Sequence, residues 1–367
     1  MIHWHEEIPY DFTDPMTEQV FTESAIFFDI ETTGFSATRS HVYLIGCAVR
    51  KGNLVHTEQF FAPTPKDEKD IIMAFLDFLE TYDTLITFNG VGFDIPYLKA
   101  RCEHFHFAEP FSRFTFVDIF KEVSHIKFFL KLPNFKQKSI EAFLGIERED
   151  KFHGGELIDV YQSYVRSPSK EELYLLRQHN YEDVLHMSLL LPVLAYSRIL
   201  EGDFTLVSIE ANEYTSIDGR TGNKELLFTL QNRFPLPNRI SCNYNEFYMT
   251  AEKDITRLRI RLFEGELKYF FDCYQNYYYL PDEDMAVPKR IAANVDKKHR
   301  KNATASTCYM KKNAIFLPQY NKLFEPRFQE NFKDKKSYFE LTSEFITSNA
   351  LQLQYVNHIM QLIKIQK

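Results

Sequence analysis

The stretch Ala25-Ile26-Phe27-Phe28-Asp29-Ile30-Glu31-Thr32-Thr33-Gly34-Phe35 reads as an apolar strand that closes on two acids and a small-residue turn. Side chains of a strand alternate faces, so Asp29 and Glu31 project to the same side. Two adjacent carboxylates repel, and at the end of a buried strand a hard divalent cation between them relieves the repulsion. The plainer reading is a pair of solvated acids at a strand end. Two further acids invite the same question. Asp94 ends Asn89-Gly90-Val91-Gly92-Phe93-Asp94 and begins a helical stretch, and Asp183 follows His179 by one helical turn. His179 and Asp183 share a face if that helix is continuous. Four carboxylates and an imidazole brought together can hold two divalent ions roughly 4 Å apart, an arrangement suited to phosphodiester cleavage. All-oxygen ligands favour Mg²⁺ or Mn²⁺ over zinc. Each residue also has a structural alternative. Asp94 precedes Ile95-Pro96 and suits an N-cap, Asn180 and Asp183 suit caps of a second helix, and His179 suits a polar position at a helix break.

The elements that must position these residues are legible in outline. Residues 1–23 are polar and interrupted by proline, and read as an arm laid on the domain. Residues 41–49 and 54–61 read as two more strands joined by the turn Lys51-Gly52-Asn53. A helix follows over 67–81, with Ile71, Ile72, Phe75, Leu76 and Leu79 on one face. Then come a buried strand at 84–88, a helix at about 95–104 and a fifth strand at 114–119. Three antiparallel strands followed by strand-helix-strand units imply an α/β fold, a mixed five-stranded sheet with flanking helices. Residues 132–152 read as a loop and a short helix, 139–144, closed by Gly145. Ser169-Lys170-Glu171-Glu172 is a capping box opening a helical region to about residue 200, with a break near His179-Asn180 and a kink at Pro192. The first domain is expected to span 24–200.

Beyond Gly202 the pattern becomes mainly β, over 203–367. Residues 204–211 and 225–231 are strand-like around Asp218-Gly219, and 258–263 pairs naturally with 267–271 across Glu264-Gly265. A helix is expected at 284–295 and a last amphipathic helix within 341–365. The formal charge is -8, yet residues 289–336 hold 13 Lys/Arg against 4 Asp/Glu, leaving 30 against 47 elsewhere. This basic stripe follows Tyr274-Gln275-Asn276-Tyr277-Tyr278-Tyr279. Rings with interleaved cations suit a single strand of nucleic acid; an aromatic packed strand beside a solvated charged surface is the alternative. Five scattered cysteines without a CxxC pair argue against a disulfide framework and a structural zinc site. No signal-peptide pattern and no apolar run of bilayer length stands out, so a cytoplasmic protein without a membrane partner is expected.

With these motifs in order, the sequence resembles the DEDD superfamily of 3'–5' exonucleases on the ribonuclease H-like fold, and within it the bacterial YprB-like branch. DIETTG resembles the first motif, NGVGFD the second and HNYEDV the third. The resemblance implies that Asp29, Glu31, Asp94 and Asp183 ligate two metal ions, Mg²⁺ or Mn²⁺, and that His179 orients or deprotonates the attacking water. It further implies that Thr32, Thr33, Gly34 and Phe35 hold the last nucleotide, and that Asn89 fixes its turn or touches the substrate. The implied partner is the 3' end of single-stranded DNA or RNA. One departure is visible. The superfamily places a Tyr four residues, or a His five residues, before the last Asp, whereas here a His stands at the Tyr spacing and Gln178 at the other. A catalytically weak or silent nucleic-acid-binding scaffold is the alternative function, and an internally cutting ribonuclease H-type endonuclease is another. The 203–367 region resembles the C-terminal extension of some YprB-like proteins, which implies no function for it.

Overall fold

The computed structural model describes residues 1–149, 154–215 and 221–365. Its N-terminal region is built on one mixed sheet of six strands, one more than the sequence pattern suggests. The strands are β1 (Ile2–Pro9), β2 (Ala25–Thr32), β3 (Val42–Lys51), β4 (Leu54–Phe61), β5 (Thr84–Thr87) and β6 (Thr115–Asp118). Their spatial order is β1-β4-β3-β2-β5-β6. The extra strand comes from residues expected to form an arm. β1 pairs antiparallel with β4 along its whole length, from Ile2↔Phe61 to Pro9↔Leu54. Ile2, Trp4, Glu6 and Ile8 turn inward while His3, His5, Glu7 and Pro9 face solvent. Charged residues and a terminal proline are common on edge strands and hide the apolar alternation.

Helices cover both faces. Short α1 (Pro15–Val20) precedes β2, α2 (Glu68–Phe78) links β4 to β5, and α3 (Asp94–Phe105) links β5 to β6. Ile71, Ile72 and Phe75 of α2 and Leu98 of α3 bury against Ile26, Phe28 and Ile45 of the sheet. After β6 come α4 (Ile119–Ser124), α5 (Lys127–Leu130) and α6 (Gln137–Leu144), the last ended by Gly145 at φ 77°. On the other face lie α7 (Gly154–Arg166) and α8 (Lys170–Leu190), with Tyr161 stacked on Tyr43 at 4.2 Å.

Helix α8 is continuous through His179 and Asn180, so the break expected there does not form. A mid-helix Asn weakens a helix when its side chain competes for backbone groups. Here the Asn180 amide is instead committed to Gln59 and Asp29. The kink at Pro192 appears as a 3₁₀ turn, Leu191–Leu194, leading to α9 (Ala195–Glu201). Against the expectation of no apolar run of bilayer length, the stretch Lys170–Glu201 has the length and composition of a membrane span, but 72% of its apolar window is buried inside the protein. It is packed as a core helix.

The C-terminal region is mainly β. Strands β7 (Phe204–Tyr214), β8 (Asn223–Tyr244) and β9 (Phe247–Arg261) form a long antiparallel sheet. The turn expected around Asp218-Gly219 lies outside the described residues. Next come β10 (Phe263–Phe270), β11 (Tyr277–Leu280), β12 (Met285–Pro288), β13 (Lys301–Asn302), β14 (Tyr309–Gln319), β15 (Phe328–Gln329) and β16 (Ser337–Glu340). β10, β14, β16 and β15 close a small barrel, and β12-β11-β13 form a third sheet. The hairpin expected across Glu264-Gly265 is absent because β9 pairs with β8 and β10 with β14. The helix expected at 284–295 is replaced by β12 and a 3₁₀ turn, Ala292–Asn294, because Tyr277–Leu280 recruits Met285–Pro288 as its neighbour. The chain ends in α10 (Ser343–Thr347) and α11 (Asn349–Lys364).

The two regions share apolar core. Leu190, Leu194 and Ile199 belong to the same cluster as Phe228, Leu230, Tyr355 and Ile359. The Tyr196 hydroxyl donates to Asn238 O at 2.8 Å and accepts from Asn238 N at 2.8 Å, and Lys364 pairs with Glu201 at 2.9 Å.

Candidate functional site

The cleft originates in a mismatch of strand lengths. β5 runs parallel to β2 but pairs with it only from Ala25↔Thr84 to Phe27↔Ile86. Strand β2 continues five residues further, to Thr32. Its Asp29–Glu31 end therefore borders an opening at the C-terminal end of the parallel strands, where ligands bind in open α/β sheets. The chain leaving β5 fills part of the gap. Asn89 adopts φ 66°, a left-handed conformation Asn tolerates, and turns the loop toward α3. Asp118, at the end of β6, accepts from Asn89 N at 2.9 Å, Val91 N at 3.1 Å and Lys121 N at 3.1 Å. This residue orders the turn and caps α4.

That turn delivers Asp94 to the first position of α3. Its Oδ1 accepts from Ile30 N at 3.2 Å, so the carboxylate satisfies a β2 amide beyond the reach of β5. The N-cap residue is Phe93, and Asp94 reaches across to the sheet. From the opposite side α8 brings His179, Asn180 and Asp183 over β2 and β3. Its close approach depends on Gly46, the β3 residue that registers with Asp29 on one side and Gln59 on the other. A Cβ at Gly46 would stand 2.1 Å from Asn180 Oδ1 and 2.7 Å from Val184. Over that gap the Asn180 amide donates to Asp29 Oδ2 at 3.2 Å and its carbonyl accepts from Gln59 Nε2 at 3.0 Å.

Asp29, Glu31, Asp94, His179 and Asp183 thus line a single cleft of about 670 Å³. His179 Nε2 lies 3.5 Å from Glu31 Oε1 and 3.3 Å from Asp183 Oδ2. Withdrawal from water, then the neighbouring charges of Asp94, Glu31 and Asp183, push the Asp29 carboxyl well above the ordinary carboxylate range, and the Asn180 hydrogen bond opposes them. Burial likewise raises Asp94, to about 7, against the pull of its backbone hydrogen bonds. Crowded carboxylates of this kind resist ionisation unless positive charge joins them.

Of the residues expected to hold a nucleotide, Phe35 and Asn89 line the cleft, whereas Thr32, Thr33 and Gly34 are not among its lining residues. The Thr32 hydroxyl donates to Gly34 O at 3.0 Å, and Thr33 N donates to His41 O at 2.9 Å, so these residues shape the loop carrying Phe35. Phe35 is 88% exposed at the mouth, edge-on to Phe93 with ring centroids 6.2 Å apart.

The cleft also carries cations that the sequence pattern does not mark. Lys136, Gln137, Lys138 and Arg148 line the same cleft as the acids. The Gln137 amide donates to Asp183 O and to Glu141 Oε1, each at 3.0 Å, tying α6 to α8. Arg148 pairs with Asp183 Oδ1, and with Glu141 at 3.4 Å and Glu182 at 3.5 Å. Burial works against its charge, but the three carboxylates outweigh it and hold its pKa above the usual value. A lone Arg in a loop has no periodicity to mark it; the Lys-x-Lys spacing of residues 136 and 138 was the only visible signal.

Residues 26–195 match the family model described as RNase_H superfamily, and the N-terminal region has the RNase H-like fold. Curated protein sequences yield no match. Similar solved structures include the family B DNA polymerase from the archaeon Pyrobaculum calidifontis, at 13% identity and TM-score 0.40, covering 93% of this chain and 46% of that one. An apo exonuclease I matches at 12% identity and TM-score 0.29, covering 57% and 56%. A zinc-bound E. coli ExoI–ssDNA complex matches at 12% and TM-score 0.30, covering 94% and 70%. The chain spans about half the length of the first two structures.

Proposed function

We propose that this cleft is the active site of a metal-dependent 3'–5' exonuclease acting on single-stranded DNA or RNA. The observation that carries the reading is the convergence of four carboxylates from three separate segments in one cleft that Lys136, Lys138 and Arg148 also line. The acids suit two hard divalent ions, and the cations suit the phosphates of a strand laid in the cleft. Asp29, Glu31, Asp94 and Asp183 would hold Mg²⁺ or Mn²⁺; the raised carboxyls of Asp29 and Asp94 mark a cluster in need of positive charge. When bound, such ions supply the charge that acidifies a water and stabilises the departing oxygen.

The protein's own groups do the remaining work. His179, flanked by Glu31 and Asp183, holds a water at Nε2 and accepts its proton. Phe35 offers an exposed ring on which any base can stack, and Asn89 lines the same cleft. Arg148 and the two lysines hold the strand's phosphates, while the Asn180 bridge keeps Asp29 facing the cleft. The 3'–5' direction rests on the resemblance of the three motifs. Asp29→Asn and Asp183→Asn test the assignment: Mg²⁺-supported nucleotide release should vanish in each, with an unchanged circular dichroism spectrum. Activity retained by either variant refutes it.

One observation favours a second reading, a silent nucleic-acid-binding scaffold. Both oxygens of Asp183 are engaged, one by Arg148 and the other near His179, so a cation there must displace one of them. Oligonucleotide binding indifferent to EDTA, without product, would select the scaffold.

A further inference from the structure

Far along the same sheet, its outer edge carries a second cluster of ligating side chains that the cleft does not use. On the outward face of β1 stand His3, His5 and Glu7, and β4 sets Glu58 opposite His5 and His56 opposite Glu7. His5 Nε2 lies 3.4 Å from Glu7 Oε1, and His56 Nδ1 lies 3.5 Å from the same oxygen. One donor atom from each of His5, Glu7 and His56 falls within 4.8 Å of the others. Donors bound at about 2.0–2.2 Å to a tetrahedral zinc stand roughly 3.3–3.5 Å apart, so both short separations match edges of that polyhedron.

Two independent features distinguish this cluster from charged residues that happen to be neighbours. His56 is 7% exposed, and its Nδ1 is buried, aimed at Glu7, and has no hydrogen-bond partner among the described residues. A buried imidazole nitrogen left in that state is costly and calls for a ligand. The second feature is the support behind His5. Its Nδ1 lies 2.7 Å from Glu58 Oε1, and the other Glu58 oxygen is held 2.6 Å from His3 Nε2. A carboxylate on the far nitrogen of an imidazole fixes the tautomer and aims the near nitrogen, as in carboxylate–histidine–zinc arrangements.

We propose that His5, Glu7 and His56 form a zinc site, with Glu58 as the positioning residue of His5 and water completing the coordination. Two imidazoles and one carboxylate suit a borderline cation, unlike the carboxylate-dominated set of the cleft. The ligands come from both strands, so zinc fastens the edge strand β1 to β4.

The test is calorimetric titration of zinc chloride into the full chain carrying Asp29→Asn and Asp183→Asn, which disables the cleft as a competing site. One zinc per chain should bind. Adding His5→Gln and Glu7→Gln, both at solvent-facing positions, should weaken it by more than the roughly 10–100-fold that loss of an outer-shell partner costs, with circular dichroism unchanged. Glu58→Gln alone should weaken it by roughly 10–100-fold. His56→Gln provides an independent removal of the inner ligand with the same expected loss. Zinc affinity that survives His5→Gln with Glu7→Gln overturns the proposal, as does the absence of zinc binding in the cleft-substituted parent.

Discussion

Two clusters of ionisable side chains lie on the same sheet, and they differ in donor chemistry, packing and approach. The cleft cluster gathers four carboxylates and one imidazole around the overhanging end of β2 and α8, in a cleft shared with cationic residues. The edge cluster gathers His5, Glu7 and His56 across a β1–β4 pair, with Glu58 behind them. Strand periodicity places residues of like face together in both cases. What differs is the surroundings. The sheet core, Gly46 and Asn180 draw the cleft acids away from water, whereas His5 and Glu7 remain open to solvent on an edge strand. Oxygen-rich and buried, the first suits hard ions at a reaction centre; nitrogen-rich and cross-strand, the second suits a fastening.

The largest expected effect separates the clusters by activity. Asp29→Asn should lower Mg²⁺-supported nucleotide release by about 10³-fold or more, equivalent to roughly 4 kcal/mol of transition-state stabilisation. His5→Gln should leave the same rate within about twofold, because its contacts lie outside the cleft. Equal losses in the two variants, measured in one assay, would erase the distinction. Next in size is Arg148→Ala. Loss of a charge-assisted phosphate contact, worth about 1.5–3 kcal/mol, should raise KM by about 10–100-fold. An unchanged KM would remove Arg148 from the substrate wall.

Gly46→Ala follows, with an expected loss of about 1–3 kcal/mol in urea unfolding, because the new methyl meets Asn180 and Val184. Activity should fall with it as α8 lifts from Asp29. A silent substitution would show that the helix is not held at that distance. The smallest effect is a pH dependence of the chelator-treated protein. Asp29 and Asp94 have folded pKa values raised above their unfolded ones, so their protonated forms favour folding. That stabilisation is complete below the ordinary carboxylate pKa and is lost as pH rises; for Asp94 the window runs up to about 7. Stability should therefore decline across it, by at most about 1.4 kcal/mol per pH unit for each carboxyl. Mg²⁺ should flatten the decline and Asp94→Asn should reduce it, both read from thermal unfolding.

The contrast between the clusters also explains what the sequence disclosed. The cleft acids were visible because β2 is apolar up to Asp29 and because Asn89–Asp94 and His179–Asp183 have turn and helix spacing. The edge cluster was hidden by Glu6 and Pro9: an acid at an inward position breaks the alternation of Ile2, Trp4 and Ile8 with His3, His5 and Glu7, and a proline closes the segment. Arg148 was invisible for a different reason, since its role depends on where α6 and α8 meet. In the C-terminal region local signals lost to distant pairing. Glu264-Gly265 has turn chemistry, yet β10 finds β14 some 45 residues away, and Tyr277–Leu280 claims Met285–Pro288 before it can become helix. Ser348 and Thr342 cap the last helices as ordinary local rules require.

The most direct test uses single-stranded DNA and RNA oligonucleotides labelled at the 5' end, incubated with the full chain in Mg²⁺, in Mn²⁺ and in EDTA. A ladder shortening stepwise from the 3' end with either ion, and lost in EDTA, is the predicted result. Intact oligonucleotide in every lane, from folded protein that still shifts it on a gel, would contradict the proposed activity and leave the cleft as a binding surface.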